Sequence, residues 1–315
     1  MKKGTIGLAI LVAAVLAAPA SAAPGPRLTI SAKAARHSLT CNGNLRHAKR
    51  KPVLLVHGTF ADSKINWSWN YKKTLPKRGQ PACTVDLPDL SSGDIQPTSE
   101  YVVYAIRAMA KRSGGKIDVI GLSQGGLNIR WALRWWPDLR HLVDDAVLFV
   151  TPNHGAKFTN LVCTAPGVCA TALYQMRSDA IFLAALNRGR DTVPGVDYTE
   201  IATSDDTIFV TPPEAHLDGA RNIVIQDICP GHKVDHVGTA YDGPTYAFAI
   251  DALDHPGPAN PKRVGSRACR RDTMPGTTRA QANAKVNAYQ SKLNVLLGPT
   301  GPKAQGEPPL ARYAR

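Results

Sequence analysis

Acidic residues are scarce in this chain: 24 Asp and Glu stand against 38 Lys and Arg, a formal charge of +14 over 315 residues. Only 20% of the residues are charged, so the excess describes a moderately basic globular protein and not a polyelectrolyte tail. Beyond the N-terminal segment no apolar run approaches the roughly 20 residues that span a bilayer, so no transmembrane anchor is expected. Neither CxxC nor a Cys/His zinc spacing occurs, and no metal site is expected. There is no internal repeat. The basic run Arg46-His47-Ala48-Lys49-Arg50-Lys51 lacks interleaved aromatics and any nucleic-acid motif, so it reads as a solvated surface patch and nucleic acid is not an expected partner. With 43% apolar residues, disorder is excluded too.

What is present begins with Lys2 and Lys3, the apolar stretch Ile6 to Ala18, and Ala20-Ser21-Ala22. This is the n-region, h-region and small-residue cleavage site of a signal peptide over residues 1–22, which predicts a secreted, extracellular protein starting near Ala23. Removing the two lysines takes the charge from +14 to +12, so the basic balance belongs to the mature chain. Export permits disulfides among Cys41, Cys83, Cys163, Cys169, Cys229 and Cys269. Pairing neighbours in order is the simplest of many choices, and would tie both flanks to the core.

Short β-branched runs alternate with helical patterns from Val53 to about residue 255, the signature of a mostly parallel sheet covered by helices on both faces. Strands are expected at Val53–Val56, Ile117–Ile120, Ala146–Val150, Thr199–Ala202 and Ile223–Ile225. Helices are expected at Tyr101–Lys111 and Gly125–Trp136, with Trp131 and Trp135 on one face packing against the sheet. Residues 23–50 read as a loop-like N-terminal flank, 51–255 as the core, and 256–315 as a C-terminal extension around one helix near Arg279–Leu297.

Gly121-Leu122-Ser123-Gln124-Gly125 fits G-x-S-x-G between a strand and a helix, where a strained turn exposes the serine hydroxyl. A serine needs a base, and the base needs an acid to hold its tautomer. His236, on the loop leaving the last strand, is the expected base. His141 and His154 come too early, and His216 precedes that strand. His232 lies four residues from His236, but Pro230 and Gly231 argue against a helical metal pair, so it reads as an ordinary loop residue. The acid should follow Thr199–Ala202, where Asp205 and Asp206 compete and the spacing to the aliphatic residues that follow favours Asp206. The loop His57-Gly58-Thr59-Phe60 and the N–H of Gln124 are the expected oxyanion donors, with the Thr59 hydroxyl as an addition.

With LTCNG at 39–43, KPVLLVHGTF at 51–60, SEYVVYAI at 99–106, GLSQGGL at 121–127, CPGHKVDHVG at 229–238 and the tail GEPPLARYAR at 306–315, the chain resembles secreted serine lipases of the Candida antarctica lipase B type and class 2 bacterial lipases. The resemblance implies an α/β-hydrolase fold, with Ser123, His236 and Asp206 or Asp205 as triad and Thr59 and Gln124 as oxyanion residues. It also implies disulfides Cys41–Cys83 and Cys229–Cys269, and Asn153 lining the acyl side of the pocket. Three departures stand out. Gly306 occupies a cysteine position of the yeast-type enzyme, which predicts a looser tail. Leu122 replaces a tryptophan, which predicts a differently shaped alcohol pocket. Cys163 and Cys169 fall in the expected lid region, about 157–174, where a disulfide would stiffen the mouth.

The expected function is a carboxylic ester hydrolase, a triacylglycerol lipase without cofactor, acting as a monomer on ester or lipid substrates at an oil–water interface. The alternatives are a short-chain esterase or polyester depolymerase with the same triad, and, from another class, a non-catalytic hydrolase-like binding protein.

Overall fold

The computed structural model describes residues 24–315; the expected signal peptide lies outside the described residues. Seven strands form one sheet: β1 (Leu39–Asn42), β2 (Val53–Val56), β3 (Ala82–Val85), β4 (Ile117–Leu122), β5 (Val143–Phe149), β6 (Asp197–Ala202) and β7 (Arg221–Val224), in the order β1-β3-β2-β4-β5-β6-β7. Only β1 runs antiparallel to its neighbour. Every residue of β2 and β4 is buried, as strands covered on both faces require. Leu54 and Val56 join a core with Val102, Ile106 and Leu127 on one face, while Val53 and Leu55 pack with Tyr71 and Phe248 on the other.

On the first face lie the helices Ile95–Ser113 and Gln124–Trp135. Asp94 caps the former by accepting from Gln96 N–H at 2.9 Å, and Gly114 ends it at φ +75°. This helix is six residues longer at its start than the apolar periodicity suggests, because its first two turns bury polar Gln96, Thr98, Ser99 and Glu100. Helix Gly243–Asp254 covers the other face.

The N-terminal flank is more ordered than its composition suggests. Ser31 caps a helix over Ala32–Ser38 that leads directly into β1, and Glu100 holds the stretch before it by accepting from Thr29 and Ile30 N–H groups. Disulfides join Cys41 to Cys83 across β1 and β3, Cys163 to Cys169, and Cys229 to Cys269.

Helix Arg279–Leu297 anchors the C-terminal extension. The tail that follows is held without the expected cysteine: Glu307 accepts from the N–H groups of Ile181 and Phe182 at 2.8 and 2.7 Å, and Ala311 N–H donates to Gln96 at 2.7 Å. Trp131 shares a face with Trp135 and joins the core cluster of the strand residues Leu54, Val119 and Leu148; it also stacks on Phe182 and meets Tyr313 of the tail, so the pair adds an aromatic seat for the C-terminus. The basic run is also not wholly solvated. Lys51 Nζ lies 3.2 Å from Asp118, 2.5 Å from Asp144 and 3.2 Å from Asp145, and Arg50 pairs with Asp254. That carboxylate trio is the one metal-capable cluster among the described residues; it sits at the N-terminal ends of β4 and β5, with Lys51 on all three carboxylates and Lys116 on Asp144.

Candidate active site

The turn between β4 and its helix is built by steric necessity. Ser123 sits at φ 54°, ψ −126°, outside the regions L-residues prefer, and its N–H is held by Phe149 O at 2.8 Å. A Cβ on Gly121 would come within 2.7 Å of Gly126 N, and one on Gly125 would collide with Val56 O. Only glycines on both sides let the helix start this close to the sheet. The N–H of Gln124 belongs to the first helical turn, where no intrahelical acceptor exists.

His236 and Asp206 come together from two loops. His236 Nδ1 lies 2.5 Å from Asp206 Oδ2, and the carboxylate also accepts from Phe209 N–H at 3.0 Å and Val210 N–H at 3.1 Å. The Asp206 side chain is 1% exposed and that of His236 13%. Phe209 packs beside the imidazole at 5.1 Å between ring centres. Asp205 has a different task. It accepts from Lys233 Nζ and Val234 N–H, on the segment that carries His236, and from Gln226 of the short helix Ile225–Ile228 before it. Burial alone would raise its carboxyl, yet the Lys233 contact and these hydrogen bonds hold it below the usual range.

Ser123, His236 and Thr59 face one cavity, walled by Leu122, Phe158, Leu173, Met176 and Leu293 among other mostly apolar side chains. Thr59 Oγ1 donates to Gln124 Oε1 at 2.5 Å, so its hydroxyl hydrogen is turned to Gln124 and not to the cavity. Gln124 Nε2 in turn donates to Ser91 Oγ at 2.9 Å. Beneath this loop the fully buried His57 shares its Nδ1 with Gly58 O at 2.9 Å and accepts Leu87 N–H at Nε2; burial keeps its pKa low, so it braces the loop as a neutral imidazole.

Two expected roles need correction. Asn153 does not line the cavity, whose wall in that loop is Pro152. Its side chain is fully buried, accepting from Arg130 Nη1 at 2.9 Å and donating to Glu200 Oε2 at 3.1 Å and Ala215 O at 2.6 Å. Two buried ionisable groups outcompete the cavity for its amide. His232 is not an ordinary loop residue either: its Nε2 meets Asp242 Oδ1 at 2.5 Å with both side chains nearly buried, and the hydrogen bond to Asp242 raises its pKa. The two histidines four apart thus engage different carboxylates, which leaves no shared metal geometry.

The site also draws on the C-terminal helix, which sequence reasoning treated as a flank. Tyr289 OH donates to Thr59 O at 2.9 Å, and Leu293 and Leu297 wall the cavity. Burial pushes the Tyr289 phenol up to about 12, so it stays a donor.

A family model described as "Alpha/beta hydrolase family" matches residues 53–254. The chain is 28% identical to Lipase B of Pseudozyma antarctica over 293 residues, 88% of this chain and 83% of that protein. It is also similar to the crystal structure of Aspergillus fumigatus lipase B, with a TM-score of 0.84 and 30% identity over 93% of this chain and 74% of that one. A Bacillus licheniformis lipase in mature form shares the fold, with a TM-score of 0.53 and 20% identity over 64% of this chain and 91% of that one. The chain therefore belongs to the alpha/beta hydrolase family, with its likeness running to the lipases.

Proposed function

We propose that the protein is a secreted carboxylic ester hydrolase, a triacylglycerol lipase, with Ser123, His236 and Asp206 as its triad. The observation that carries the reading is the pairing of a strained serine with a carboxylate-held histidine on one apolar cavity. His236 takes the Ser123 hydroxyl proton through Nε2 as Oγ attacks the ester carbonyl, while Asp206 stabilises the imidazolium. The N–H groups of Gln124 and Thr59 receive the oxyanion. Collapse of the tetrahedral intermediate releases the alcohol, protonated by His236. Water, deprotonated by the same imidazole, then attacks the acyl-enzyme and frees the carboxylic acid. Every proton passes through His236, and no cofactor enters.

The three disulfides and the absence, among the described residues, of a helix long and apolar enough to cross a membrane accord with an extracellular chain cleaved after residue 22. We place the lid at about 157–174, over the cavity, with a monomer meeting an oil–water interface. The test is turnover of emulsified long-chain triacylglycerols and short soluble esters by wild type and Ser123→Ala. Loss on the order of a million-fold in the variant is expected for a working triad. Hydrolysis of short esters alone would make the protein an esterase, and activity unaffected by Ser123→Ala would overturn the triad.

A further inference from the structure

A second, smaller cavity lies beside the one that holds Ser123. Phe60, Phe158, Leu173 and Leu297 line both, so the two spaces adjoin along these four apolar side chains. The remaining walls come from two stretches of chain: Val168 and Ala170 from the region of the Cys163–Cys169 loop, and Leu296 and Pro302 from the C-terminal extension. Lys303 is the one charged residue among the described lining residues, and its ammonium donates to Val168 O at 2.9 Å.

The outer wall is fixed in place. Gly167 N–H donates to Ala304 O at 2.8 Å and Ala304 N–H to Cys169 O at 2.7 Å, a two-stranded stitch between the disulfide loop and the C-terminal extension. Tyr174 OH accepts Val168 N–H from the inner side. The wall made by the disulfide loop is therefore tied to the C-terminal extension by covalent and backbone restraints. Val168 nonetheless remains 40% exposed, apolar surface that contact with another apolar group would take from water. Walls of this kind accept methylene groups and penalise charged or hydrogen-bonding groups, which would lose their water without gaining partners.

We propose that this chamber is a subsite for the distal part of an alkyl chain whose ester carbonyl lies at Ser123, with Val168 and Leu296 setting the length of chain it takes. The proposal rests on the ester hydrolase reading above. The chain belongs to the acyl or to the alcohol half of the ester, and the experiment separates the two.

Val168→Trp and Leu296→Trp add bulk to the chamber at two residues that line it and do not line the cavity holding Ser123. Each is compared with wild type on two series: p-nitrophenyl esters of lengthening fatty acids, and acetate esters of lengthening alcohols. A small phosphonate titrating Ser123 counts correctly folded sites in each preparation. Both variants are expected to keep kcat/KM on the shortest esters and to lose about fourfold for each methylene excluded in one series, the loss appearing in KM. A loss confined to the acyl series assigns the chamber to the acid, and one confined to the alcohol series assigns it to the leaving group. Chain-length profiles parallel to wild type in both series overturn the subsite while leaving the hydrolase reading intact. No turnover of any ester by wild type overturns that reading itself.

Discussion

Asp205 and Asp206 are consecutive, yet they hold opposite sides of the histidine loop: Asp206 Oδ2 meets the His236 ring at 2.5 Å, and Asp205 Oδ2 accepts the Val234 N–H at 3.0 Å. One carboxylate fixes the imidazole and the other fixes the backbone that delivers it. Asp206→Asn should therefore cut kcat by about 10⁴, the scale seen when a triad acid becomes an amide and the wrong tautomer is favoured. Asp205→Asn should cost about 1 kcal/mol of stability and roughly tenfold or less in kcat, because it weakens hydrogen bonds without changing the ring's partner. Steady-state kinetics on one soluble ester, with urea unfolding of each variant, checks the pair; a larger kcat loss for Asp205→Asn reverses the assignment.

His232 and Asp242 tie the same loop to the start of helix Gly243–Asp254, whose Thr245 N–H Asp242 also accepts. The bond to Asp242 raises the His232 pKa, so the folded state binds this proton more tightly than the unfolded chain does. Its stabilising contribution is complete below the ordinary histidine value of about 6.5 and is lost as pH rises through the higher folded value. The stability gap between wild type and His232→Gln should be widest near pH 5.5, about 1 to 2 kcal/mol, and should narrow by about pH 9. A gap that does not change with pH would show that the ring acts by packing alone.

Much of this architecture was legible in the chain, for local reasons. Val53–Val56 and Ile117–Ile120 read as strands because a sheet covered on both faces demands unbroken apolar runs. The serine turn was legible because its glycines answer clashes within a few residues. The edge strand Leu39–Asn42 and its neighbour Ala82–Val85 escaped notice: the first is only half-buried in alternation, and the second carries Cys and Thr in place of a longer aliphatic run. Tyr289 was invisible as a site residue because its partner Thr59 lies 230 positions away, and no spacing rule reaches so far. The partners of His232 and Asn153 are likewise decided by packing, which residue spacing does not encode.

Asn153 links Arg130 to Glu200 in the interior, with Glu200 pushed up to about 8 chiefly by burial. Removing the amide leaves a buried guanidinium hydrogen and one buried oxygen of Glu200 without their partner, while Thr151 N–H keeps the other oxygen. Asn153→Ala should lower stability by about 3 kcal/mol while leaving the ratio of long-chain to short-chain turnover as in wild type. Thermal unfolding and the ester series measure both quantities; a changed chain-length ratio in a stable variant would return Asn153 to the cavity wall.

The two smaller-scale restraints on the site should differ in what they protect. Cys229 stands at the start of the loop that carries His232 and His236, and its bond to Cys269 closes a sequence separation of 40 residues. By chain entropy its removal should cost about 4 kcal/mol, and kcat should fall with it because the loop's origin is released. The Cys163–Cys169 bond closes only 6 residues, in a loop already stitched to Ala304 and Tyr174. Replacing that pair by serines should cost about 2 kcal/mol or less, with short-ester kcat unchanged. Double-serine variants of each pair, compared by guanidinium unfolding and by kinetics well below the transition, make the contrast measurable. Equal losses of kcat would mean that the loop over the cavity governs turnover as strongly as the loop that carries His236.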